Sequence, residues 1–227
     1  GVREPGVLAL APGPLRPTRA EAGVLAALGA EGLSGRLVNP RQVHGDHVVV
    51  VTSSEAAELA SVRNEAGEGA DAVVCTAAGV PVLLCYADCV PVVLVAEGGF
   101  AVIHSGWRGT IARISAKALA TLATETGHAP QEVRAYVGPH IAGEDYEVSA
   151  GLMGRFVDEF GPAAQAGERL LDLEACIVRT LVEEGVPADM IAGTHASTSR
   201  ETGRFFSYRA TGGSCGRHGA LVVMSDR

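Results

Sequence analysis

Residues 80–104 read V-P-V-L-L-C-Y-A-D-C-V-P-V-V-L-V-A-E-G-G-F-A-V-I-H, and this stretch decides the fold. It breaks into short Val- and Leu-rich runs, Val80 to Tyr86 and Pro91 to Val95, bounded by turn signals. Runs of that length and β-branched content predict buried strands rather than a helix. Gly98-Gly99 predicts a hairpin into a further strand, Phe100 to His104. Upstream, Ala72 to Cys75 and His47 to Thr52 repeat the pattern. Downstream, Val133 to Val137, Met190 to Thr194 and Ala220 to Met224 are further strand candidates.

Helical spacing appears between these strands. Ile111, Ile114, Ala118, Leu119 and Leu122 form one apolar stripe, with Thr110 expected to cap it and Gly127 to end it. Ser149 is expected to cap a helix carrying Leu152, Met153, Phe156 and Phe160. Asp172 is expected to cap another, carrying Cys176, Ile177 and Leu181. Shorter helices are expected over Ala20–Gly29 and Ser53–Ser61, the latter capped by Ser54. Asn64 to Gly69, polar and Gly-containing, reads as a loop. Strands and helices alternate irregularly, with no linker or repeat. The expectation is an α+β fold, mixed β-sheets covered by helices, in a single domain over residues 1–227.

Composition narrows the function. With 47% hydrophobic and 19% charged residues, the chain has ample material for a core. A formal net charge of −8 opposes the phosphate backbone, so nucleic-acid binding is not expected. No apolar run reaches the ~20 residues of a membrane span. Gly1 to Leu15 has neither a basic region nor a long apolar run, so no secretory leader is expected. Cys75, Cys85, Cys89, Cys176 and Cys215 are odd in number and irregular in spacing, which suits reduced thiols and a cytoplasmic protein.

Three segments place reactive side chains at strand ends: Arg41-Gln42-Val43-His44-Gly45, Ala87-Asp88-Cys89-Val90-Pro91 and His104-Ser105-Gly106-Trp107-Arg108-Gly109-Thr110. A thiolate and two imidazoles suit zinc or copper, and three protein ligands leave a position open for water or substrate. Spacing alone equally permits a core thiol and two hydrogen-bonded imidazoles. If the strands around Gly98-Gly99 are antiparallel neighbours, this reading sets Cys89 and His104 at opposite ends of them, with Pro91 helping to end the pairing. Gly106 to Thr110 can open a helix whose N–H groups, with Arg108, cradle an anion. Trp107 and Phe206, the latter beside Arg209, can stack on a planar ligand or pack in the core.

Taken together, Gln42-Val43-His44-Gly45, Ala70-Asp71-Ala72, Ala87-Asp88-Cys89-Val90-Pro91, His104-Ser105-Gly106-Trp107-Arg108-Gly109, Gly138-Pro139, Tyr146-Glu147-Val148 and Phe206-Ser207-Tyr208-Arg209 resemble the YfiH-type family. These are the laccase-domain, polyphenol-oxidase-like proteins described as purine nucleoside phosphorylases. The order and approximate spacing hold from Arg41 to Met224. The resemblance implies an α/β/β/α layered fold and a catalytic zinc, with copper once proposed, on His44, Cys89 and His104. It also implies phosphorolysis of adenosine, inosine and methylthioadenosine, plus adenosine deamination. The chain departs from the family at Ala11 to Gly29, at His140 and His195, and at Ser214-Cys215-Gly216-Arg217.

On that basis Arg41, Arg108 or Arg209 would hold phosphate, and Gln42, Trp107 and Phe206 would line the substrate site. Asp88 would orient a ligand or shuttle a proton. Two rival enzymes remain: a cysteine hydrolase, with Cys89 as nucleophile and His104 as base, acting on amides or cell-wall precursors, and a copper-dependent polyphenol oxidase. A non-catalytic binding protein is the further alternative.

Overall fold

A computed structural model describes residues 26, 28–30 and 32–225. In chain order the elements are β1 (Val48–Val51), α1 (Ala56–Glu68), β2 (Ala72–Cys75), β3 (Val82–Tyr86), β4 (Val90–Ala96), β5 (Gly99–Ser105), α2 (Trp107–Ile111), α3 (Ile114–Thr126), β6 (Arg134–Val137), α4 (Ala150–Phe160), β7 (Gln165–Gly167), β8 (Leu170–Leu171), α5 (Leu173–Glu183), β9 (Ile191–Gly193) and β10 (His218–Val222).

The β4–β5 hairpin is the middle of a six-stranded sheet ordered β1-β2-β5-β4-β6-β9. Its two outer pairs, β1 with β2 and β6 with β9, run parallel; the inner pairs are antiparallel. Almost every residue of β4 and β5 is buried on both faces. That is why the two runs read as continuous apolar stretches rather than an alternation. Each fully buried Val or Leu stabilises by roughly 1.5–3 kcal/mol, which makes this hairpin the anchor of the fold.

On one face Val74, Val92, Leu94, Ala101 and Ile103 pack against α3, α4 and α5. On the other, Val73, Val93, Phe100 and Val102 pack against Val82, Leu84 and Tyr86 of β3, which pairs with β10 in a second sheet. The outer side of β3–β10, at Leu83 and Leu221, is covered by Leu28, Leu33 and Leu37. The layering is thus helices, large sheet, small sheet and an outer helical segment, the α+β arrangement expected. No helix among the described residues is long and apolar enough to cross a membrane.

Several local expectations hold. Ser149 Oγ accepts from Leu152 N, Asp172 Oδ1 accepts from Ala175 N, and Gly127 closes α3 in the left-handed region at φ 74°. Others do not. Asn64 to Glu68 is helical, not loop: α1 starts after Glu55 rather than Ser54 and runs to a turn at Gly69. It buries only Leu59 and Ala66, too sparse a stripe to read from sequence. The stripe from Ile111 is two helices, broken where Arg113 sits at φ 55°. Thr110 does not cap: its hydroxyl bonds Ser105 Oγ and the Gly106 carbonyl inside α2. Pro91 does not end pairing; it lies opposite His104 within the ladder. The helix expected over Ala20–Gly29 falls mostly outside the described residues.

Candidate metal centre

The hairpin register brings Cys89 to His104. Val90 lies opposite Ser105 and Pro91 opposite His104. In an antiparallel hairpin the first residue of one strand and the last of the other share an end. The expectation that antiparallel neighbours would separate Cys89 from His104 is therefore wrong, and no crossover is needed. His104 lies on the face of β5 that looks toward β3, with its ring 5.5 Å from that of Tyr86.

His44 arrives on the loop before β1, held at φ 59°. Its anchor is Asp71, fully buried at the start of β2. The Asp71 carboxylate accepts from Val43 N (3.1 Å), His44 N (3.0 Å) and Gly45 N (2.7 Å), and also meets His104 Nδ1 at 2.7 Å. One carboxylate thus fixes both imidazole-bearing segments. Bonding of Nδ1 to Asp71 turns the other ring nitrogen, Nε2, toward Cys89 and the shared centre.

Donor atoms of His44, Cys89 and His104 lie within 4.8 Å of one another, the one such group among the described residues. Gly106 makes room for it. A Cβ there would stand 3.0 Å from Cys89 Sγ and 3.2 Å from His44 Cδ2. The electrostatics match the geometry. Burial alone would raise the Cys89 thiol, but hydrogen bonds and charge from His104 and His44 overcome it and bring it down to about 7. Burial likewise opposes protonation of His104, yet the bonds to Asp71 and Cys89 raise it to about 9. Asp71 is held below its ordinary value: burial works against this, but the His104 bond and the Gly45 N–H outweigh it. A ready thiolate, an imidazole with a carboxylate behind it, and a second imidazole within reach fit a thiophilic divalent cation, which would displace the proton shared by His104 and Cys89.

The three donors face a cavity of about 570 Å³, also lined by Trp107, Tyr146, Tyr208, Arg209 and Arg217. The sequence profile of the multi-copper polyphenol oxidoreductase laccase family matches residues 19–225. The chain belongs to this family. Within it, the chain is 35% identical over 193 residues to adenosine deaminase RL5 of an unknown prokaryotic organism, covering 80% of the chain and 72% of RL5. It is 32% identical over 200 residues to purine nucleoside phosphorylase YlmD of Geobacillus stearothermophilus, covering 82% and 72%. The crystal structure of Bacillus licheniformis YfiH superposes with a TM-score of 0.80 at 23% identity, covering 92% of this chain and 82% of that one.

Not every residue singled out from this family member's sequence reaches the cavity. Arg41 donates to the Gly67 and Glu68 carbonyls and so caps the C-terminus of α1. Gln42 lines the cavity, but its amide pairs with the Cys85 backbone in both directions, at 2.8 Å each. It pins the His44 loop to β3. Arg108 is exposed and stacks on Trp107, 5.1 Å from the ring centroid, outside the cavity lining. Phe206 lies against Gly216, also outside the lining. Asp88, at φ 83°, accepts from Thr198 Oγ1 at 2.6 Å and from Arg209 N at 2.7 Å. Both oxygens are engaged in tying the β3–β4 junction to the C-terminal loop, and Asp88 also lines the cavity.

Sequence reasoning missed Asp71, Tyr146, Tyr208 and Arg217 as site residues. Asp71 had a signal, the Ala70-Asp71-Ala72 block. Tyr146 and Tyr208 also stood in quoted blocks. Arg217 had only a departure from the family pattern.

Proposed function

We propose that the chain is a zinc-dependent purine nucleoside enzyme of the cytoplasm. It cleaves adenosine, inosine or methylthioadenosine with phosphate to free base and sugar 1-phosphate, and deaminates adenosine. The observation that carries this reading is the convergence of His44, Cys89 and His104 on a cavity that also presents aromatic rings and two guanidinium groups. The names of RL5 and YlmD supply the substrate class.

A zinc or copper ion on the three donors would supply Lewis-acid polarisation of a substrate oxygen or of water. The chain's own groups do the rest. Asp71 holds His104 in the tautomer whose Nε2 is bare, and keeps His44 in register. Tyr146, Tyr208 and Trp107 offer ring faces to a purine. Arg209 and Arg217 give the anionic co-substrate a local positive field against the net charge of −8. In phosphorolysis, a phosphate oxygen bonds to the anomeric carbon as the carbon–nitrogen bond to the purine breaks. The bonding pair leaves with the base, which takes up a proton.

Incubating the zinc-loaded protein with inosine and phosphate should release hypoxanthine and ribose 1-phosphate, and adenosine should yield inosine. Cys89→Ala should abolish both. Absence of any phosphate-dependent product from the loaded protein would reject the phosphorylase reading.

One observation favours a second reading. The depressed Cys89 thiol beside a raised His104 resembles a nucleophile and its base. A cysteine hydrolase would retain turnover of amide substrates after chelation; the proposed metalloenzyme would not.

A further inference from the structure

Two hydroxyls line the cavity that the three metal donors face, those of Tyr146 and Tyr208. Tyr208 is 56% exposed. Tyr146 is half-buried and packs against the core between the large sheet and its helices. Its backbone is held on both sides: Tyr146 N donates to the Gly143 carbonyl at 3.2 Å, and its own carbonyl accepts from Leu171 N at 3.0 Å. Its ring is held as well. The Arg209 guanidinium lies 5.1 Å from the ring centroid, and Nη1 of that arginine donates to the adjacent Glu147 carbonyl at 3.0 Å. Arg209 N in turn donates to Asp88, the residue before Cys89.

The hydroxyl is what this framework leaves unused. It has no hydrogen-bond partner among the described residues. The sealed, partnerless polar atoms are those of Ser115 and His218, so the Tyr146 oxygen is reached from the cavity. It also stands near the metal centre, within reach of the charge of Cys89 and Arg209. Burial, and after it Cys89, raises the phenol to about 12 against the pull of Arg209. The group is therefore a hydrogen-bond donor across the neutral range. Gln42 and Asp88, which line the same cavity, are already committed to the Cys85 backbone, to Thr198 and to Arg209 N.

Phosphorolysis needs a donor at one more place than the phosphate. As the bond from the anomeric carbon to N9 breaks, its electron pair moves into the purine, and the ring nitrogens take up negative charge. A donor already fixed where charge develops stabilises it without reorganisation. Arg209 and Arg217 serve the anionic co-substrate in the proposed reaction, which leaves the departing base without one. Resting on that phosphorylase reading, we infer that Tyr146 is a catalytic residue whose hydroxyl donates a hydrogen bond to a ring nitrogen of the departing purine. The tyrosine keeps its proton throughout. A phosphate oxygen bonds to the anomeric carbon, the carbon–N9 pair goes to the base, and the base takes its proton from water.

Tyr146→Phe removes the oxygen and keeps the ring under Arg209. Because the hydroxyl has no protein partner to lose, the variant should keep the native urea midpoint. With zinc-loaded protein, kcat for inosine should fall about 10- to 100-fold, while KM for phosphate changes little. Comparison with 7-methylinosine separates this role from a structural one. Its purine is already cationic and departs as a neutral base, so it needs no donor. The variant should turn it over within about threefold of the native rate. Native inosine turnover in the variant, an equal loss on both nucleosides, or a lowered urea midpoint would each overturn the inference and leave the phosphorylase reading standing. A native protein that turns over neither nucleoside would overturn that reading and the inference with it.

Discussion

Replacing Asp71 with asparagine should disable the candidate metal centre without touching a ligand. In the native arrangement, Oδ2 accepts from Val43 N and Gly45 N, while Oδ1 accepts from His44 N and faces His104 Nδ1. Asparagine keeps one oxygen. Placed at the Oδ1 position, it would leave the amide NH2 against two backbone N–H groups. Placed at the Oδ2 position, it satisfies those two and sets the NH2 against His44 N and His104 Nδ1. The second orientation costs less, but it forces Nδ1 to accept and therefore moves the proton to Nε2, the nitrogen that must be bare to hold a cation. An outer carboxylate lost from a ligating histidine typically costs 10–100-fold in metal affinity, and here the tautomer change places Asp71→Asn at the upper end or beyond. The orphaned His44 N–H should cost a further ~1–3 kcal/mol of stability. Zinc affinity by competition with a chromophoric chelator reads the first effect, and urea denaturation of the metal-free protein the second. Native zinc affinity in a folded Asp71→Asn protein would refute the reasoning.

Three further outcomes follow from the geometry. Gly106→Ala, at an ordinary φ of −81°, should change stability by less than ~1.5 kcal/mol, yet weaken zinc binding about tenfold or more, because its Cβ crowds Cys89 Sγ and His44; an equilibrium zinc titration checks it. In metal-free protein, alkylation by iodoacetamide that is absent from Cys89→Ala should rise through pH about 7, because a lowered thiol pKa brings the reactive thiolate to lower pH; a midpoint near 9 would show that the two imidazoles do not act on the thiol. His218 is pushed to about 4 in the fold from an ordinary 6.5, so the unfolded chain binds the extra proton between those values. Stability from this group is complete above pH 6.5 and is lost as pH falls toward 4, by up to roughly 3 kcal/mol. Asp88 favours and Arg217 opposes the proton. The pH dependence of urea midpoints should flatten in that window in His218→Phe.

The strands were legible because burial on both faces leaves continuous apolar runs, as in residues 82–86, 90–96 and 99–105. The caps at Ser149 and Asp172 were legible because capping is local. Helix α1 was not, since its thirteen residues bury only two side chains and mix Ala, Val and Gly with polar residues in no clear stripe. At the site, the metal trio was named from motif resemblance, while the reason it converges, the antiparallel register of Val90 on Ser105, was read backwards. Asp71 acts across 27 residues to His44 and 33 to His104, a link no local pattern reveals. The charged candidates fared worst. Arg41 and Arg108 carry long exposed side chains, and only tertiary structure decides whether such a guanidinium meets substrate, a helix end or a Trp face.

Metal content of the protein purified without added metal, measured by mass spectrometry alongside Cys89→Ala, tests the central claim most directly. One thiophilic divalent ion per chain in the native protein, absent from the variant at equal folded fraction, is the predicted result. Equal metal in both, or none in either after incubation with zinc, would contradict it.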